Sequence, residues 1–163
     1  MIILGIDPGL AIVGFGVLEV LGDNRRVIEY GEINSPAHTP TPKRIKMIYD
    51  DVSYVINKYK PDCMAIEELF FNNNAKTAID VAMARGALVL AAENAGIDVA
   101  EYTPLQVKQA VVGYGRADKN QVQQMVKLML KLHEVPKPDD VADALAIALT
   151  HANTIRFELK ISN

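Results

Sequence analysis

"IILGIDPGLAIVGFGVLEVLGDNRRVIEYGEI", residues 2–33, contains three short runs rich in β-branched and aromatic residues: IILGID, GFGVLEV and RVIEYGEI. Turn residues divide them, Pro8-Gly9 after the first and Gly22-Asp23-Asn24 after the second. Short runs punctuated this way predict strands, and connections this brief predict an antiparallel meander of three. The pattern then changes period. KRIKMIYDDVSYVINKY places Ile45, Ile48, Val52, Val55, Ile56 and Tyr59 at helical spacing, and Pro61 ends it. CMAIE (63–67) reads as a short buried strand, 75–94 as a helix rich in small residues and stopped by Gly96, and IDVAEYT as a fifth strand. LQVKQAVVG and NQVQQMVKLMLKL predict two helices around the loop GYGRAD, and PKPDDVADALAIALTHANTI (137–156) a last helix. Three antiparallel strands followed by strands alternating with helices predict an α/β fold, a five-stranded sheet of mixed direction flanked by helices.

The 163 residues fit one domain with room for a core. We expect it over 1–156, with 157–163 as a short tail. Half of the residues are hydrophobic and 23% are charged, an ordinary globular balance. No apolar run approaches the ~20 residues that cross a bilayer, and Asp7 comes too early for a signal-peptide core. The single cysteine, Cys63, rules out an internal disulfide. These features predict a cytoplasmic protein without a membrane partner. A net charge of −3 argues mildly against nucleic acid, but the charge is uneven. Leu105 to Leu132 carries Lys108, Arg116, Lys119, Lys127 and Lys131 against one acid, Asp118, and a local basic patch matters more for phosphate than the whole-chain balance.

The acids stand at informative places. Asp139 suits the N-cap of the last helix, where a carboxylate satisfies free N–H groups and the helix dipole. That role does not extend to Asp143, beyond the first turn. Asp140 and Asp143 are three residues apart and share a face, at the margin of the apolar stripe Ala142, Leu145, Ala146 and Leu149. Two carboxylates there repel by about 4 kcal/mol at ~4 Å and an effective dielectric near 20, so a positive charge belongs between them. Asp7 closes IILGI before a Pro-Gly turn, and Glu67 and Glu68 follow CMAI. Strand alternation alone leaves open which of the two glutamates faces Asp7. If the first and fourth strands are neighbours and the last helix crosses their ends, four carboxylates converge. Such a set, without a cysteine or histidine cluster, selects a hard cation, magnesium or manganese rather than zinc. Two divalent ions would balance four carboxylates and could serve in-line phosphoryl displacement.

"ILGIDPG" (3–9), "AIEELF" (65–70), "QVKQAVVG" (106–113) and "DVADALAIALTH" (140–151) together resemble the RuvC family of bacterial Holliday-junction resolvases, within the ribonuclease-H-like nucleases. The resemblance spans roughly residues 2–153. It implies Asp7, Glu67, Asp140 and Asp143 as catalytic metal ligands for two Mg²⁺ ions, with Mn²⁺ able to substitute, and so selects Glu67 over Glu68 and Asp140 over Asp139. It implies symmetric nicking of four-way DNA junctions in recombination and repair, leaving 5′-phosphate and 3′-hydroxyl ends. Phe70 would stack on an unpaired base, Lys108 and Lys119 would meet DNA, and Arg116 is a candidate by charge and position. Gly113 and Gly115 would let the loop backbone approach phosphate. The implied assembly is a homodimer, with the small residues Ala75, Ala78, Ala82, Gly86 and Ala87 on or near one face, working beside a branch-migration complex of RuvA and RuvB. Two other readings fit parts of the chain. "GIDPG" with "GFG" also resembles the first phosphate loop of actin-like ATPases, and a related ribonuclease-H-like nuclease could act on RNA.

Overall fold

A computed structural model describes residues 1–69 and 75–161, and side chains over those residues except 75–77 and 156–161. The predicted meander is present as β1 (Ile2–Asp7), β2 (Ile12–Leu21) and β3 (Asn24–Asn34), each antiparallel to the next. Gly22, with φ +58°, makes the β2–β3 turn, a conformation that other residues adopt only at a cost. Then follow α1 (Thr41–Tyr59), β4 (Cys63–Glu67), α2 (Ala75–Asn94), β5 (Asp98–Tyr102), α3 (Pro104–Val112), α4 (Lys119–Met129) and α5 (Asp139–Ile161). The sheet order is β3-β2-β1-β4-β5, with β4 parallel to both β1 and β5. This is the mixed five-stranded sheet that the pattern predicts.

Strand parity sorts side chains onto two faces. Leu4, Ile6, Met64 and Ile66 join Ile48, Val52 and Leu88 under α1 and α2. Ile3, Cys63 and Ala65 face the opposite way and pack with Leu145 and Leu149 of α5. The α5 helix is buried all round from Ala144 to Thr150, because α3 and α4 cover the side turned away from the sheet. A helix apolar on every side belongs between two layers, so the predicted single stripe is too narrow for it. Its backbone runs to Ile161, so helix occupies most of what the sequence reading sets aside as a tail. The α4 helix ends at Met129, before the turn in which Lys131 takes φ +55°.

Cys63 lies within this packing, 8% exposed, and burial first, then the nearby charges of Asp62 and Asp98, push its thiol up to about 11. The thiolate is the reactive form. Native protein at pH 8 should therefore react with an aromatic disulfide reagent about 100-fold more slowly than unfolded chain. Stopped-flow thiol titration with and without denaturant checks this.

Candidate metal centre and nucleic-acid surface

The parity that fills the core also sets the acids. Ile3, Gly5 and Asp7 of β1 are turned toward α5, and so are Cys63, Ala65 and Glu67 of β4. Because β1 and β4 run parallel in the register Ile6↔Ile66, the next residues, Asp7 and Glu67, leave the sheet on one face. Glu67 is half-buried and acts on Asp7, while Glu68 is exposed. Arg85 of α2 braces this strand end. Its Nε donates to the Glu67 carbonyl oxygen at 3.2 Å, and its guanidinium pairs with Glu101 of β5 at 2.6 Å. The sequence reading overlooks Arg85; its signal is a lone arginine in a helix of small apolar residues.

The start of α5 reaches the same place because two glycines let it lie directly on the sheet. A Cβ on Gly14, the cross-strand partner of Asp7, would fall 1.9 Å from the Asp140 carbonyl oxygen. A Cβ on Gly5 would fall 2.2 Å from the Ala144 carbonyl oxygen. At these two positions no side chain separates the sheet from the first turns of α5, and Asp140 and Asp143 stand beside Asp7.

The electrostatics follow from that convergence. Burial, then the charges of Asp143, Glu67 and Asp140, push the Asp7 carboxyl up to about 8. Burial and Asp143 also raise Glu67, and burial raises Asp143 against the pull of Lys119. Lys119 brings a positive charge to the outer side of the group, with Nζ 3.0 Å from Asp143 and 3.6 Å from Asp139, and not between Asp140 and Asp143. Burial would lower its ammonium, but the hydrogen bond to Asp143 and the surrounding acids outweigh burial and raise it. Asp139 opens α5 and also pairs with Lys137 at 3.0 Å. Among the described residues no three acid, cysteine or histidine side chains stand in ready-made coordination geometry. Among the described residues the Lys119 ammonium forms ion pairs with Asp143 and Asp139 and with neither Asp7 nor Glu67. An all-oxygen donor set with uncompensated negative charge suits a hard divalent cation, and the raised Asp7 marks where compensation is lacking.

An unfolded chain releases the Asp7 proton near pH 3.8 and the folded chain near 8, so between those values the folded state holds more protons. The stability this lends is complete below pH 3.8 and lost as pH rises through 8, a change of several kcal/mol at ~1.4 kcal/mol per unit. Thermal unfolding in chelator should show Tm falling from pH 5 to pH 8, and added Mg²⁺ should reverse the fall.

Beside the acids opens a cavity of about 250 Å³ whose polar wall is Glu67, Asp143, Lys108 and Lys119, with Val107 and Val122 in its apolar floor. Lys108 comes from α3 and Lys119 from the first turn of α4. Both helices begin on capping boxes, Thr103 with Gln106 and Asp118 with Gln121, which fix where these lysines emerge. Arg116 is exposed on the loop between them, and among the described residues neither it nor Lys108 is in an ion pair. Gly113 ends α3 at φ +94°, a structural reason of its own, while a Cβ on Gly115 would meet the end of the exposed Leu105 side chain. Phe70 lies outside the described residues.

The family profile of crossover junction endodeoxyribonuclease RuvC matches residues 3–151. The chain belongs to the RuvC family. Among the RuvC relatives, the protein of Halothermothrix orenii is 58% identical over 160 residues, covering 98% of this chain and 97% of its own. The RuvC of Alkaliphilus oremlandii is 59% identical over 157 residues, 96% of each chain. In three dimensions the chain is similar to T. thermophilus RuvC in complex with Holliday junction substrate, with a TM-score of 0.92 and 40% identity over 97% of this chain and 96% of that one. The ribonuclease-H-like sheet expected from the sequence is thus the fold of a solved RuvC. Among the described residues no helix is long and apolar enough to cross a membrane.

Proposed function

We propose that this single-domain chain is a cytoplasmic structure-specific endodeoxyribonuclease that resolves four-way DNA junctions by nicking two strands. Its RuvC family membership supports the reaction and substrate class, and the convergence of Asp7, Glu67, Asp140 and Asp143 at one end of the sheet carries the assignment of the site. These four acids would hold two Mg²⁺ ions, which when bound supply charge neutralisation and activation of water for attack on the scissile phosphodiester, leaving 5′-phosphate and 3′-hydroxyl ends. The chain's own residues do the rest. The sheet ends and α5 fix the acids, Arg85 steadies Glu67, and Lys108, Arg116 and Lys119 draw the sugar-phosphate backbone toward an otherwise repulsive centre. Phosphate contacts of this kind position DNA and carry little sequence information. Manganese would substitute for magnesium, since both accept an all-carboxylate set.

The test is an end-labelled synthetic four-way junction incubated with protein and Mg²⁺, beside linear duplex and RNA–DNA hybrid. Paired symmetric nicks on the junction alone are expected, and EDTA should abolish them. Preferred cutting of the hybrid would favour the RNA-directed reading. The ATPase reading has no support beyond its glycine-rich start, given a RuvC profile that runs from residue 3 to residue 151.

Two symmetric cuts call for two sites, which a two-fold dimer supplies. On α2 the small residues divide. Ala87 is buried toward its own sheet, whereas Ile79 (59% exposed), Met83, Gly86 and Leu90 (54%) form an outward apolar row at helical spacing. This row is the proposed seat of a second copy, and the dimer is the form that would meet RuvA and RuvB. Ile79→Glu with Leu90→Glu should weaken self-association at least about 30-fold by sedimentation equilibrium, the effect of losing a central apolar anchor.

A further inference from the structure

Lys119 has two acceptors. Its Nζ lies 3.0 Å from Asp143 Oδ2 and 3.6 Å from Asp139 Oδ2. The two aspartates are four residues apart on α5 and therefore share a face. They differ in surroundings. Asp143 is half-buried, within the field of Asp7 and Glu67, while Asp139 is more open and its Oδ1 already accepts from Lys137 Nζ at 3.0 Å. The Lys119 backbone is held at the first position of α4 by the Asp118 cap, but its side chain is 56% exposed and has a flexible stem. A swing of the ammonium between the two carboxylates therefore needs no change of fold. A divalent ion and an ammonium cannot both sit against the Asp143 carboxylate without strong repulsion.

We propose that Asp139 is a positioning residue that takes over Lys119 when a divalent cation occupies Asp143. On the cation reading given above, the ammonium in the structure competes for Asp143, and Asp139 relieves that competition. Transfer to Asp139 also keeps the lysine at the rim of the cavity, where a phosphate would meet it. This gives a task to the one aspartate of the α5 start that the family pattern leaves without one. It also separates two roles that charge alone would merge, since a ligand and a parking acceptor both favour cation uptake.

A double-mutant cycle on Mg²⁺ affinity separates them. Calorimetric titration of the full chain with Mg²⁺ alone, at about 0.3 M monovalent salt to screen distant charges, is run on wild type, Lys119→Met, Asp139→Asn and the double variant. Lys119→Met should tighten Mg²⁺ roughly fivefold, the scale of a part-exposed ion pair. Asp139→Asn should loosen it by a similar factor when Lys119 is present and leave it unchanged in the Lys119→Met background. Lys119→Arg keeps a competing cation, so the Asp139→Asn effect should persist there, and this variant guards against a folding artefact. Equal loosening in both backgrounds would make Asp139 a ligand or a plain source of field and overturn the proposal, and so would no loosening in either. A flat titration with wild type would instead remove the cation reading of the whole site.

Discussion

Asp7→Asn should reduce junction cleavage by at least about a thousandfold and, in the same protein, raise thermal stability at pH 8. Both effects come from one carboxylate. Asp7 sits at the end of β1 with Glu67 beside it and the start of α5 above it, and its proton is held up to about 8 because burial and three acids oppose its charge. An amide of the same shape removes that repulsion, so chelated protein gains a few kcal/mol at pH 8, and its Tm falls less between pH 5 and 8, the remaining fall coming from the raised Glu67 and Asp143. The amide also removes a charged donor from the proposed cation site. The transition-state stabilisation lost is several kcal/mol, and each ~1.4 kcal/mol is a factor of ten in rate. Junction affinity should hold or increase, because the variant places one less negative charge against phosphate. Calorimetric scans and end-label assays on one preparation test the pair. A variant that cuts at more than about a tenth of the wild-type rate would remove Asp7 from the chemistry. One that is inactive but also less stable would show that Asp7 supports the fold and is not strained by it.

The sequence reveals the elements better than their contacts. The meander, the helical stripe of α1 and the short strand CMAIE all follow from period and punctuation, and all are present where expected. The grouping of the acids needs the register between β1 and β4, which joins residues sixty apart and leaves no trace in either strand. The family resemblance supplies the choice of Glu67, and parallel pairing supplies its physical cause. Lys119 is legible as a basic residue in a basic segment, hence as a partner for DNA. That its ammonium lies against Asp143 depends on how α4 packs beside α5, which local pattern does not encode. The tail gives no helix signal because IRFELKI alternates apolar and charged residues with period two, a strand-like pattern, while the backbone continues α5. Glycines 5 and 14 are the clearest omission. In the linear chain they lie within strand-like runs and, as "GIDPG" with "GFG", resemble a phosphate loop, whereas in the fold they are spaces cut for a helix.

Gly14→Ala puts that space to the test and should be among the most damaging small substitutions in the chain. The added methyl would meet the Asp140 carbonyl oxygen at 1.9 Å and its carbon at 2.3 Å. Both are backbone atoms, so no rotamer change relieves the clash and the first turn of α5 must lift from β2. Overpacking of this kind costs about 1–3 kcal/mol, occasionally more. The displacement carries Asp140 and Asp143 away from Asp7, and about 1 Å of misplacement in a reacting constellation costs on the order of 100-fold in rate. Gly16→Ala is the informative control. Its methyl would meet Leu145 Cδ2 at 2.6 Å and Cγ at 2.9 Å, side-chain atoms of a fully buried leucine, so it costs stability by displacing packed neighbours without pressing on the backbone that carries Asp140. We expect Gly14→Ala to lose activity by about two orders of magnitude at a temperature where it is still folded by near-UV circular dichroism, and Gly16→Ala to lose far less. Folded Gly14→Ala cutting at the wild-type rate would mean that the α5 acids do not need the close seat on β2, and the geometric argument for a shared centre would go with it.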